Sequence, residues 1–385
     1  MREHIITSAR FFQSALYANA RDMTPELAET LLLLSTGHLF GLYNPNQVAD
    51  ALGVSKNKLY RNLKGISLYQ WKSLLVGITS TLAIEEIRQT ASKSASTQSR
   101  RCITISVDDT NDSRYAKTLS YCYNWWSTQH NNAINCRNIL AITLKVGDVI
   151  LPLNIRIVSK QDRGNTDKPT CFRTMIEEVL DVFDAEGIDL RKYPITFDSW
   201  YGSKDLIEAL LELGFTCILI HGKSNYVMEI DDQVAKLSEH KKTIKLLTHQ
   251  WGCDKPVRRL RAKSSTFGEL VLLFFQAYAK TQTMMVFGRP LRSAEILHIW
   301  SQHHGIEQFW RHLKTDLRLS AMRLHHRNGA YGTLGIKILS YLMIQRVSRS
   351  TRLTFHQIKL QLSGDRQMLS IISAHFHELN PQEHL

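Results

Sequence analysis

The chain has 385 residues, 43% of them hydrophobic, enough to build a sizeable core in each of two or three domains. Its formal charge of +13, from 48 basic against 35 acidic residues, favours a polyanionic partner or an acidic membrane surface. No stretch approaches the roughly 20 consecutive apolar residues that span a bilayer, and the charged start Met1-Arg2-Glu3-His4 is unlike a secretory leader.

Residues 1–89 read as an all-α domain, dense in leucine and poor in β-branched runs. Within it, Ala49 lies four residues before Gly53, and Leu59 six residues after, the spacing of a helix-turn-helix. The small Ala49 lets two helices approach, Gly53 permits the turn and Ser55 can cap the second helix. Lys56, Asn57, Lys58, Tyr60, Arg61 and Asn62 are then expected to face outward, as DNA contacts require. An ordinary helical hairpin with a basic face is the alternative. Residues 90–101, with four serines and no large apolar side chain, read as a linker.

From residue 102 the pattern changes to strands. Cys102 to Val107 alternates, and Asn138 to Val146 and Val149 to Val158 form two apolar runs joined at Gly147-Asp148, a hairpin signal. A helix over Thr170 to Ala185, a short strand over Ile195 to Phe197, a helix from Ser203 to Gly214 and a strand over Phe215 to Ile220 follow. Three strands, helix, strand, helix, strand is the element order of an RNase H-like α/β domain, here residues 102–221. Residues 222–286 read as a β-rich insertion, residues 287–349 as the second part of the α/β domain, and residues 350–385 as a C-terminal tail. The six cysteines form no close pair of the zinc or redox kind and are expected to be reduced, mostly buried cytoplasmic thiols.

Two aspartates share one setting, because Ile105-Ser-Val-Asp108 and Ile195-Thr-Phe-Asp198 each end an alternating strand in an acid. Hard divalent cations take several oxygen ligands, and a pair of them suits phosphodiester chemistry. Asp109 competes with Asp108 for the first position, and strand-end turn chemistry is the bland reading of the pair. A third acid comes from a helix. At about 100° per residue, Trp300, His303, Glu307 and Lys314 share one narrow stripe, beside an apolar stripe of Ile299, Ile306, Phe309 and Leu313. Lys255 to Lys263 carries five basic residues, so Arg258, Arg259 and Arg261 are expected either on DNA backbone or along a charge-guarded edge strand. Trp251 reads as a core residue, with stacking on a flipped base as the alternative.

The stripe and the two strand ends together resemble the DDE transposases of bacterial insertion sequences. The resemblance covers roughly residues 102–345: Val107-Asp-Asp-Thr110 is similar to the first motif, Phe197-Asp-Ser-Trp-Tyr201 to the second, and Trp300, His303, Glu307 and Lys314 to a Tyr-Arg-Glu-Lys signature. It implies an RNase H-like fold, catalytic and metal-binding Asp108, Asp198 and Glu307, magnesium with manganese as a substitute, and Lys314, His303 and Trp300 on DNA. It also implies double-stranded DNA as partner, a homodimer on that DNA and a cytoplasmic, nucleoid-associated protein. His303 departs from the family's arginine, and His303→Arg is expected to preserve or raise end cleavage. The rival functions are a structure-selective nuclease that cuts without joining and an inactive, transposase-derived DNA-binding protein.

Overall fold

The computed structural model of the chain describes residues 1–19, 23–94, 103–113, 119–127, 130–162, 166–277, 279–322, 324 and 326–378. Five helices come first: α1 (Arg2–Asn19), α2 (Pro25–Leu39), α3 (Pro45–Leu52), α4 (Lys56–Gly65) and α5 (Leu68–Ser94). Their ends follow the local chemistry: Asn44 caps α3 by accepting from the Gln47 amide, Gly53 closes it with φ of 68°, and Ser55 caps α4 by accepting from the Lys58 amide. Helix α5 runs on through Ser94 into the segment expected as a linker, whose remainder lies outside the described residues.

The α/β part begins with β1 (Ile103–Ser113), β2 (Tyr123–Ser127), β3 (Asn132–Val146) and β4 (Val149–Ile157). It continues through α6 (Lys168–Ala185), β5 (Ile195–Phe197), α7 (Lys204–Glu212) and β6 (Cys217–His221). Gly147, with φ of 61°, makes the β3–β4 turn expected from the sequence. The inserted segment supplies β7 (Val227–Ile230), β8 (Gln233–Lys236), α8 (Leu237–Thr243), β9 (Val257–Ser264), β10 (Gly268–Ala277) and β11 (Lys280–Gly288). After it come α9 (Ser293–Arg311), a π-helical turn over His312–Asp316, α10 (Arg327–Thr351), α11 (Phe355–Leu362) and α12 (Arg366–Glu378).

All eleven strands join one sheet in the order β2-β3-β1-β5-β6-β11-β10-β9-β7-β8, with β4 also on β3. Strand β1 is antiparallel to β3 and parallel to β5, and β5 is parallel to β6, so the centre is a mixed sheet. The insertion extends this sheet instead of forming a body of its own, because β11 pairs antiparallel with β6. The first helices share one buried apolar cluster with the sheet, α10 and the C-terminal helices. Gly335 of α10 shows how close that packing is: a Cβ there would lie 2.5 Å from Cζ3 of the fully buried Trp71 on α5. Where the sequence reading has only a tail, α11 and α12 fold back, α12 against α1, α2 and α3. No described helix is long and apolar enough to cross a membrane. The five described cysteines are free thiols, with Cys136, Cys171 and Cys217 buried.

Candidate active site

The site grows out of the parallel pairing of β1 with β5. Val107 lies opposite Phe197, so Asp108 and Asp198 each follow one member of a paired couple and emerge side by side. Strand alternation then sorts the neighbours. Ser106 and Asp108 share one face of β1, whereas Ile105, Val107 and Asp109 share the other; on β5, Thr196 and Asp198 fall opposite in the same way to Ile195 and Phe197.

Asp109 is tied on its own face. It accepts from Lys168 Nζ at 2.8 Å, from the buried Tyr201 hydroxyl at 2.5 Å and from Asn138 Nδ2 at 2.5 Å. Asp108 has a different setting. Loss of water pushes its carboxyl up to about 7, the charge of Asp109 adds to the rise, and Asp198 and Glu307 add smaller increments against the pull of the Asp109 backbone amide. Asp198 is exposed and caps the single 3-10 turn Ser199–Tyr201, accepting from the Ser199 amide at 3.1 Å.

The third acid rides on α9, which lies across β1, β3, β4 and β5. Ile299, Ile306, Phe309 and Leu313 are buried, as their phase requires. Gly305 allows the close approach, since a Cβ there would lie 3.1 Å from Lys145 Cδ and 3.3 Å from Ile150 Cγ1. Glu307 is exposed and accepts from His304 Nδ1 at 3.2 Å. Lys314 stands in the π-helical turn, a distortion common at functional sites. Burial lowers its ammonium from the usual range while Asp108, Asp112 and Asp109, in that order, oppose the fall, which sets Lys314 within electrostatic reach of the acids.

His303 does not lie where a phosphate contact was expected. It is 6% exposed, its Nδ1 is 3.0 Å from the Thr196 hydroxyl, and Trp300 stacks on its ring at 4.7 Å and 7°. Burial pushes its imidazole down to about 4, so the ring is neutral near pH 7. Trp300 itself is half-buried.

The remaining expected residues are spread over the surface. Lys56, Asn57 and Arg61 of α4 are exposed, while Lys58 is half-buried and 3.9 Å from Glu29. Asn62, expected to face outward, instead donates to Thr30 Oγ1 at 2.8 Å and fastens α4 to α2. On β9, Arg259 and Arg261 are exposed on one face and Arg258 is half-buried on the other, so the three do not form one row. Trp251, expected in the core, is 88% exposed, because it lies in the turn before β9 and not under the sheet.

Sequence reasoning missed Lys168, Asn138 and Tyr201 as partners of Asp109, and Thr196 and Ser106 beneath the acids. The polar Thr196 and Ser106 alternate with apolar neighbours, a pattern that reads as a solvent face and that α9 covers. Among the described residues no three His, Cys, Asp or Glu side chains converge on a common point at coordination distance. Asp198 and Glu307 act on Asp108 through charge, each less than Asp109 does.

A mixed α/β sheet preceded by an all-α domain is the architecture of an RNase H-like protein. Residues 104–343 match the family model of the transposase DDE domain, more than half of the chain, and the chain belongs to this family. A comparison with curated proteins gave no match. Membership makes the chain a transposase that acts on DNA, in a family that generally uses divalent metal ions.

Proposed function

We propose that Asp108, Asp198 and Glu307 hold divalent metal, magnesium with manganese able to substitute, and cut and join DNA at transposon ends. The observation that carries this reading is the parallel pairing of Val107 with Phe197, which presents Asp108 and Asp198 side by side on β1 and at the end of β5, where α9, the helix of Glu307, packs. A hard divalent cation fits such a donor set, because three carboxylates offer oxygen ligands and an excess of negative charge that a cation relieves. When bound, the metal would supply Lewis-acid polarisation of a phosphate and a more acidic water.

The chain's own residues do the rest. Asp108 and Asp198 are presented by paired strands, so their spacing is set by the sheet. Glu307 gives up only a weak exposed contact with His304 to join them. Lys314, beside Asp108 and Asp112, supports the reading that it meets a DNA phosphate near the cut. Water attacks the phosphodiester at the element's end and releases a 3′-hydroxyl, which then attacks target DNA at the same site, with no covalent protein intermediate. Helices α3 and α4, within the proposed helix-turn-helix domain, bring Lys56, Lys58 and Arg61 to duplex DNA, and Arg259 and Arg261 of β9 offer a second basic surface. A homodimer pairs two ends.

Replacing Asp108, Asp198 or Glu307 by Ala is expected to abolish both nicking and strand transfer on a duplex carrying the element's ends, while filter binding to that duplex persists. Strand transfer by any of these variants at the wild-type rate removes that residue from the site.

A further inference from the structure

Directly beneath the three acids, a chain of hydrogen bonds joins the same three elements. Ser106 Oγ lies 3.1 Å from Thr196 Oγ1, and Thr196 Oγ1 lies 3.0 Å from His303 Nδ1. The chain is anchored at its strand end, where Thr196 Oγ1 is 3.2 Å from the Ile105 carbonyl oxygen and Thr143 Oγ1 donates to the Ser106 carbonyl at 3.3 Å. All four side chains are buried.

The register is what gives this chain a role. Ser106 is two residues before Asp108, Thr196 two before Asp198, and His303 four before Glu307. Two residues of strand rise about 6.6 Å, and four residues of helix rise about 6 Å. Each acid therefore stands about 6 to 7 Å from the polar layer along its own element. Four residues of helix also return close to the same face, so a bond that fixes His303 fixes the phase as well as the height of Glu307. A neutral imidazole has one donor and one acceptor nitrogen, so it can match a threonine hydroxyl whichever partner donates. The parallel Trp300 ring covers its outer side.

We infer that Ser106, Thr196 and His303 form a positioning layer that fixes the height and rotation of α9 over the sheet, so that Glu307 meets Asp108 and Asp198. The proposal rests on the carboxylate reading above. It gives His303 a role distinct from contacting DNA, through another residue and not on the substrate.

Two pairs of substitutions test it. Thr196→Val keeps shape and removes the hydroxyl, and Thr196→Ser restores it; His303→Leu removes the ring nitrogen, and His303→Asn places a polar atom near the position of Nδ1. Each full-length protein is titrated with Mn2+ alone by calorimetry, and kcat and KM for end cleavage, DNA binding and Tm are measured beside it. The expected result is a fall of about tenfold or more in Mn2+ affinity and in kcat for Thr196→Val and His303→Leu. KM and DNA binding should stay unchanged, with most of the loss recovered in Thr196→Ser and His303→Asn. Wild-type Mn2+ affinity and kcat in Thr196→Val, with Asp198→Ala inactive, overturn the positioning layer and leave the carboxylates in place. Should Thr196→Val fail to fold, His303→Leu takes its place: wild-type Mn2+ affinity and kcat in that variant overturn the layer, and a loss recovered in His303→Asn upholds it. An Asp198→Ala protein that binds Mn2+ and cleaves like wild type overturns the carboxylate reading itself, and the layer with it.

Discussion

Asp108 and Asp109 are adjacent in sequence and opposite in setting, because a strand turns successive side chains to opposite faces. Asp109 is paired with Lys168 and bonded by Tyr201 and Asn138. Asp108 sits among other acids and so carries an electrostatic cost when no cation is present. Asp108→Asn should therefore leave Tm unchanged or raise it while abolishing cleavage. Asp109→Ala leaves the largely buried Lys168 unpaired and should cost about 3 kcal/mol of stability, read by denaturant unfolding. Equal losses of Tm in the two variants would contradict this division. For His303→Arg, burial argues against the sequence expectation: a permanent charge forced into the space between Trp300 and Thr196 should destabilise the protein by several kcal/mol and lower cleavage. Cleavage at or above the wild-type rate would restore the phosphate-contact reading. The different settings of Asp108 and Asp109 were not legible in sequence, since the partners of Asp109 lie at residues 138, 168 and 201 and meet it only in the fold.

At the scale of elements, the local signals carried well. The β3–β4 turn at Gly147, the cap at Ser55, the helix starting after Ser203 and the phase of α9 all follow from periodicity and turn chemistry within a few residues. Elements without such signals were not legible: β2, Tyr123-Asn-Trp-Trp-Ser, has no clean alternation, and α11 and α12 depend on distant partners for their burial. Helix α10 packs against α1, α2 and α5, and α5 in turn packs on β4. Gly335→Ala brings a methyl group against the buried Trp71 and should cost about 1–3 kcal/mol, seen as a lower Tm; an unchanged Tm would mean that this contact can relax freely. Helix α11 contributes Lys359, whose Nζ donates to the His38 and Leu39 carbonyls at the end of α2. Burial pushes its ammonium down to about 8. An unfolded lysine titrates near 10.4, so between these values the unfolded chain binds more protons and stability rises with pH. Relative to Lys359→Met, the wild type should thus gain stability from about pH 8 to pH 10, measured as the difference in unfolding free energy; a flat difference would contradict the lowered Lys359 ammonium.

For the molecule as a whole, the excess of basic residues and its runs on α4 and β9 are legible in the sequence, but not which cations are engaged: Lys58 lies 3.9 Å from Glu29 and Arg258 is half-buried on the face opposite Arg259 and Arg261. If α4 meets DNA as proposed, replacing Lys56 and Arg61 together by Ala should lower affinity uniformly across sequences and reduce the salt slope of binding by about two. An unchanged slope would remove α4 from the interface. The continuity of the insertion with the central sheet was equally hidden, because the β11–β6 pairing is non-local. The central claim is that Asp108, Asp198 and Glu307 touch the metal, and exchanging one ligand oxygen for sulfur tests it most directly, since thiolates favour softer ions than magnesium. Asp198→Cys should be inactive with Mg2+ and regain end cleavage with Mn2+, whereas undiminished cleavage by Asp198→Cys in Mg2+ would contradict the assignment.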